Sequence, residues 1–151
     1  MPDPLYDSRT ARFDLPLLFA GQAQKEGFVN EITARIDALL HGAIEGELAA
    51  PPAAPTDGQA WLVGAGASGV WLGQAGKLAA RQSGNWLFAT PRDGMKLLNR
   101  ATGQEIRYFG IWKSAARPAL PSGGTTIDAE ARTTIAAILA ALTIAGMVPT
   151  L

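Results

Sequence analysis

The sequence predicts an α+β chain with a small antiparallel β-meander or barrel between an N-terminal arm and amphipathic helix and a C-terminal oligomerisation helix. Three observations predict it. Apolar residues from about 24 to 40 fall at helical spacing, residues 59–114 break into short apolar or aromatic runs split by glycine, and residues 127–142 carry a second helical stripe with almost no charge. A length of 151 residues with 48% hydrophobic content suits one domain with a real core, alone or with an arm. The absence of cysteine excludes a disulfide scaffold, a thiolate metal site and a Cys nucleophile.

The first segment, 1–48, reads as an arm and helix for docking. Pro2, Pro4 and Pro16 oppose helix, and Phe13, Leu15 and Leu17 alternate with Asp14 and Pro16 in a period of two, which predicts an extended arm with one apolar side. From Gln24 to Leu40 the period becomes helical, with Phe28, Ile32, Ile36, Leu39 and Leu40 on one stripe. Gly42 is placed to end this helix as a left-handed cap, and His41, the single histidine, to cap carbonyls at its end. Phe13, Leu15, Leu17 and Phe28 are the docking candidates.

The second segment, 49–117, reads as the antiparallel β module. It opens on a stiff connector, Ala49 to Gly58, in which Pro51, Pro52 and Pro55 each remove a backbone donor. Strands are predicted around Trp61-Leu-Val63, Val70-Trp-Leu72, Lys77-Leu-Ala79, Asn85 to Phe88, Met95 to Leu98, Ile106 to Phe109 and Ile111-Trp112, with turns at the intervening glycines. A faint repeat, Ser68-Gly-Val-Trp-Leu72 and Ser83-Gly-Asn-Trp-Leu87, supports repeated hairpins whose tryptophans cap the core. The third segment, 118–151, is a linker and helix. A Thr125-x-x-Asp128 capping pattern precedes a seam of Ala131, Ile135, Ile138, Leu142 and Ala145 that ends at Gly146. Isoleucine at both seam positions favours a trimer over a dimer.

Charge balances overall, with 13 basic and 13 acidic side chains, but not locally. Residues 1–74 carry four bases against nine acids, and residues 75–117 carry eight bases against Asp93 and Glu105. Such asymmetry either neutralises within the fold, draws acidic and basic faces of neighbouring subunits together, or attracts an anionic polymer. Literal motifs dissolve on inspection. Gly64-Ala-Gly66-Ala-Ser-Gly69 matches a dinucleotide fingerprint, but a strand-like Val70-Trp71-Leu72 follows where a helix is required. Asp57 and Asp93 precede glycines as turn residues do, and nothing in the spacing of Asp57, Asp93 and Glu105 builds a carboxylate pair. An enzyme is therefore disfavoured, and no cofactor, metal or nucleic acid is expected. The start, Met1 to Asp7, lacks the pattern of a secretory signal, and no apolar stretch reaches bilayer-spanning length, so no membrane insertion is expected.

Phe13-Asp-Leu-Pro-Leu-Leu18, Gly21-Gln-Ala-Gln-Lys-Glu26, Asn30-Glu31 and Asp37-Ala-Leu-Leu40 form a run of motifs that continues through Asp57-Gly58, Gly69-Val-Trp71, Trp86-Leu-Phe88, Thr90-Pro91 and Gly94-Met95. In these the chain resembles domain-of-unknown-function family 2793 over roughly residues 12–113. The resemblance implies a place in tail-fibre, spike or host-recognition proteins of tailed phages or gene transfer agents. On it, the chain is expected to be a homo-oligomeric fibre or spike base or adaptor, assembled in the cytoplasm into a virion or gene transfer agent particle, with other tail, fibre or capsid proteins as partners. The alternative is a carbohydrate-binding module for a bacterial surface polysaccharide, with Trp71 or Trp86 as platform and Arg81, Arg92 or Lys96 meeting acidic sugars.

Overall fold

The computed structural model describes residues 25–150. Helix α1 runs Lys25–Leu39 and helix α2 runs Ala129–Ile144, and between them lie eight strands in two mixed sheets. Strands β1 (Ala43–Ile44), β6 (Lys96–Asn99), β7 (Gln104–Phe109) and β8 (Ile111–Lys113) form one sheet in that order. Strands β2 (Glu47–Leu48), β3 (Ala60–Val63), β4 (Leu78–Gln82) and β5 (Asn85–Ala89) form the other. The predicted α+β class stands, but a closed barrel does not: one sheet ends at β1 and β8 and the other at β2 and β5, with no pairing that closes either. Nor is the module wholly antiparallel, because β1 pairs with β6 and β2 with β3 in parallel. These two-residue strands lie in the segment assigned to docking and are too short for a period-two signal. The chain steps from one sheet to the other at residues 44–47, where the Glu45 amide donates to the Ala60 carbonyl at 2.8 Å.

Val70-Trp71-Leu72 is not a strand. A 3₁₀ turn spans Gly69–Trp71, bracketed by Gly69 and Gly73 at φ +59° and +76°. Trp71 is fully buried while Val70 and Leu72 are exposed, so the turn reproduces the in-out alternation of a strand and periodicity cannot separate the two. The β4–β5 hairpin turns at Ser83-Gly84 with φ +48° and +74°, the two positive values a type I′ turn demands. Gly42 is not the left-handed cap; His41 takes that conformation at φ +53°, and among the described residues its side chain bonds to no carbonyl. Gly42 is small for another reason: a methyl built on it would lie 2.5 Å from Leu97 Cδ2, and Leu97 is a fully buried core residue. Likewise Thr125 does not cap α2. Asp128 does, its carboxylate accepting from the Ala131 amide at 2.8 Å.

The two sheets repeat one hydrogen-bonding plan. Gly58 donates to the Arg81 carbonyl and Arg81 returns a bond to Gln59; Gly94 and Tyr108, with Met95, do the same. Asp57 Oδ1 accepts from the Gly84 amide at 3.1 Å, and Asp93 Oδ1 from the Gly110 amide at 2.8 Å. The Asp-Gly pairs, read from the sequence as simple turns, thus each clamp the far hairpin of their own sheet. Strand register carries the match through: Ala60 opposite Ala80 opposite Leu87 corresponds to Lys96 opposite Arg107 opposite Lys113.

One core cluster joins both sheets through Ile44, Leu62, Leu78, Met95, Leu97 and Ile106, with Ala38 and Leu39 of α1 packed against it. A second holds Trp61, Val63, Trp71 and Ala79, with Trp86 and Phe88 at its margin. Helix α1 also shields the β5 edge, since Arg35 Nη1 donates to the Phe88 carbonyl at 3.1 Å.

Candidate functional site

Helix α2 is the clearest candidate for an interaction surface, because its composition and its burial disagree. Its residues are almost all Ala, Ile, Leu and Thr, yet only Leu139 among them is buried. Arg132, Ala136, Leu139 and Thr143, at spacings of four, three and four, turn inward, with Leu142 beside them. The predicted seam lies one residue round the helix. Ala131 and Ala145 are exposed, Leu142 is half-buried, and Ile135 and Ile138 retain 45% and 55% of their surface. Ile144 at 90% and Met147 at 59% extend the exposed apolar area beyond the seam. A run of such side chains in water makes this face a candidate contact surface.

The helix is held by polar clamps at its C-terminal end. Gly146, at φ +69°, closes a Schellman turn in which the Met147 amide donates to Leu142 and the Gly146 amide to Thr143. The Gly146 carbonyl then accepts from the Glu105 amide of β7 at 2.8 Å, and the Thr150 amide donates to the Thr102 carbonyl at 3.0 Å. Gln104, 3% exposed, is the one polar residue buried among the described residues, and its Nε2 donates to the Ala115 and Met147 carbonyls, both at 2.8 Å. Arg117 Nη1 donates toward Thr143 Oγ1 at 3.0 Å and the Pro149 carbonyl at 3.1 Å. Sequence reasoning passed over Gln104 and Arg117: a lone glutamine after a Thr-Gly turn and an arginine before a proline carry no pattern. At the other end, Arg132 donates to the Gly123 carbonyl in the linker.

Of the glycan-contact candidates, Trp71, Trp86 and Arg81 meet at one sheet, and Lys96 lies on the other. Trp71 is fully buried, so it offers no face to a sugar. It meets Trp86 edge-on with ring centroids 5.0 Å apart, and Trp61 completes the cluster; the two members of the faint sequence repeat are therefore core partners. Trp86 is half-buried beneath Arg81, whose guanidinium carbon lies 5.1 Å from its ring centroid and whose Nε lies 4.0 Å from Asp57 Oδ1. Arg92 is exposed on the β5–β6 connection. Lys96 pairs with Glu105 at 2.8 Å on the other sheet. Of the docking candidates, Phe13, Leu15 and Leu17 lie outside the described residues, and Phe28 stands 38% exposed near the start of α1. Among the described residues no helix is long and apolar enough to cross a membrane.

What this defines is a mixed two-sheet α+β unit that presents an apolar helix. A family model described as protein of unknown function, DUF2793, matches residues 29–113, more than half of the chain, and the chain belongs to that family. The match covers α1 from Val29 onward and all eight strands, and stops short of α2. No curated protein matches the chain.

Proposed function

We propose that the chain is a homo-oligomeric structural component of a phage tail or gene transfer agent particle, a fibre or spike base or adaptor, with α2 as its association helix and a trimer as its favoured state. The observation that carries the oligomeric part is the exposure of Ile135 and Ile138 on a helix fixed to the sheet by other residues. Covering the half of each isoleucine that is still exposed would contribute about 0.7–1.5 kcal/mol. The particle setting, and tail, fibre or capsid proteins as further partners, rest on the motifs shared with family 2793. The rival reading, a carbohydrate-binding module built on Trp71 or Trp86, gains no support from rings that are buried or covered by Arg81.

Light scattering on the purified full chain tests the association. A trimer is expected for the natural sequence, and Ile138→Glu should return it to monomer with unchanged circular dichroism. A natural chain that stays monomeric at high micromolar concentration overturns the oligomer reading.

A further inference from the structure

The two-sheet repeat exposes a second surface, independent of the α2 seam. In the β2–β5 sheet, the row Ala60, Ala80, Leu87 belongs to or borders the core, and α1 packs over it through Ala38 and Leu39. The corresponding row of the other sheet is Lys96, Arg107, Lys113, and all three are exposed. The seat that the C-terminal part of α1 occupies on one sheet is thus an open cleft of about 460 Å³ on the other, lined by Lys96, Glu105, Arg107 and Lys113 and, from the tail, Gly146 and Met147. Apolar side chains flank the row on the same face: Leu98 on one side, Phe109 and Ile111 on the other, the last two 60% and 66% exposed.

Three cations directly opposite one another across three strands, about 5 Å apart from strand to strand, oppose folding by mutual repulsion. Among the described residues only Lys96 is offset, by Glu105. Among the described residues Arg107 makes no ion pair, and Lys113 has the Phe109 ring, 5.3 Å away, in place of a carboxylate. A row of this kind is stabilised by an anionic partner, and its apolar borders select one that is greasy on either side of its charges.

We infer that this cleft docks an acidic amphipathic helix of a partner protein, seated as α1 is seated on the first sheet, with carboxylates on Arg107 and Lys113 and apolar side chains on Leu98, Phe109 and Ile111. The chain's own helices are poor occupants. Helix α1 is already seated on the first sheet through Ala38 and Leu39, and α2 offers as carboxylates only Asp128, spent on its N-terminal cap, and Glu130. A polysaccharide or single-stranded nucleic acid would use the cations and leave Leu98 and Ile111 wet.

The probe is a synthetic 18-residue helical peptide with Leu on one face bordered by Glu, beside an otherwise identical peptide with Lys for Glu, titrated into the isotope-labelled full chain. The acidic peptide should shift the backbone amides of residues 96–98, 105–109 and 111–115, and the basic peptide should not. Arg107→Glu with Lys113→Glu should weaken the acidic peptide more than about tenfold and gain the basic one; Arg107→Ala with Lys113→Ala serves if the reversal impairs folding. No shift with the acidic peptide, an equal response to the basic one, or shifts elsewhere overturn the inference. So would tighter binding of polygalacturonate or a DNA oligonucleotide to the same row, or self-association of the natural chain abolished by the Arg107 and Lys113 changes.

Discussion

Replacing Gln104 by methionine keeps side-chain volume and removes the donor that ties both the linker and the C-terminal tail to β7. Two bonds of 2.8 Å are lost, to the Ala115 and Met147 carbonyls. At a net contribution of about 1 kcal/mol each, the attachment of the tail weakens by about 2 kcal/mol. Leaving both carbonyls buried without a donor would cost about 1–3 kcal/mol apiece, so the tail instead detaches and lets water reach them. Local opening therefore sets the size of the effect. Amide hydrogen exchange reads it directly: the Glu105 and Thr150 amides, bonded to Gly146 and Thr102, should exchange about 30-fold faster. Ladder amides of β4 and β5, on the other sheet, should keep their protection. Unchanged exchange at Glu105 and Thr150, or a loss spread evenly over both sheets, would refute the reasoning that Gln104 is a local clamp.

Gly42→Ala should destabilise the chain by about 1–3 kcal/mol, read as a lower urea midpoint, because the new methyl must displace Leu97 from the centre of the core. Asp128→Ala removes the acceptor for the Ala131 amide and should cost about 1 kcal/mol, seen as fraying of the first turn of α2 by hydrogen exchange.

The two helices and the eight strands differ in how visible they are from residues alone. Lys25–Leu39 and Ala129–Ile144 are legible because helical periodicity persists over four turns and Gly146 closes the second. Strands β3 to β8 are legible as apolar runs between glycines. Strands β1 and β2 are not: Ala43-Ile44 and Glu47-Leu48 earn strand geometry only from the neighbours they meet, β6 and β3, far along the chain. Trp71 misleads because burial of every second residue is common to a strand and to this 3₁₀ turn. The repeat is hidden for a similar reason. What the two sheets share is backbone bonding around Asp57-Gly58 and Asp93-Gly94, while the facing side chains diverge from Ala60, Ala80 and Leu87 to Lys96, Arg107 and Lys113. Of the candidate surfaces, the α2 seam was readable as a spacing of isoleucines, whereas the basic row showed only as an excess of positive charge with no position.

The way α2 is fastened bears on why its apolar face is open. Helix α1 is held by packing, with Ala38 and Leu39 against the core, so its contact with the sheet consumes apolar surface. Helix α2 is held largely by polar groups that converge on its last turn: Gln104, Arg117 and the Gly146 carbonyl. A methyl on Gly146 would lie 3.7 Å from both the Glu105 amide nitrogen and the Gly103 carbonyl oxygen, so the turn sits against β7 at van der Waals distance. Hydrogen bonds have direction and the hydrophobic effect does not. Fastening by polar clamps therefore sets where the helix points and, among the described residues, leaves about half of the surface of Ile135 and Ile138 uncovered, with the free energy of burying it still to be gained by whatever packs there.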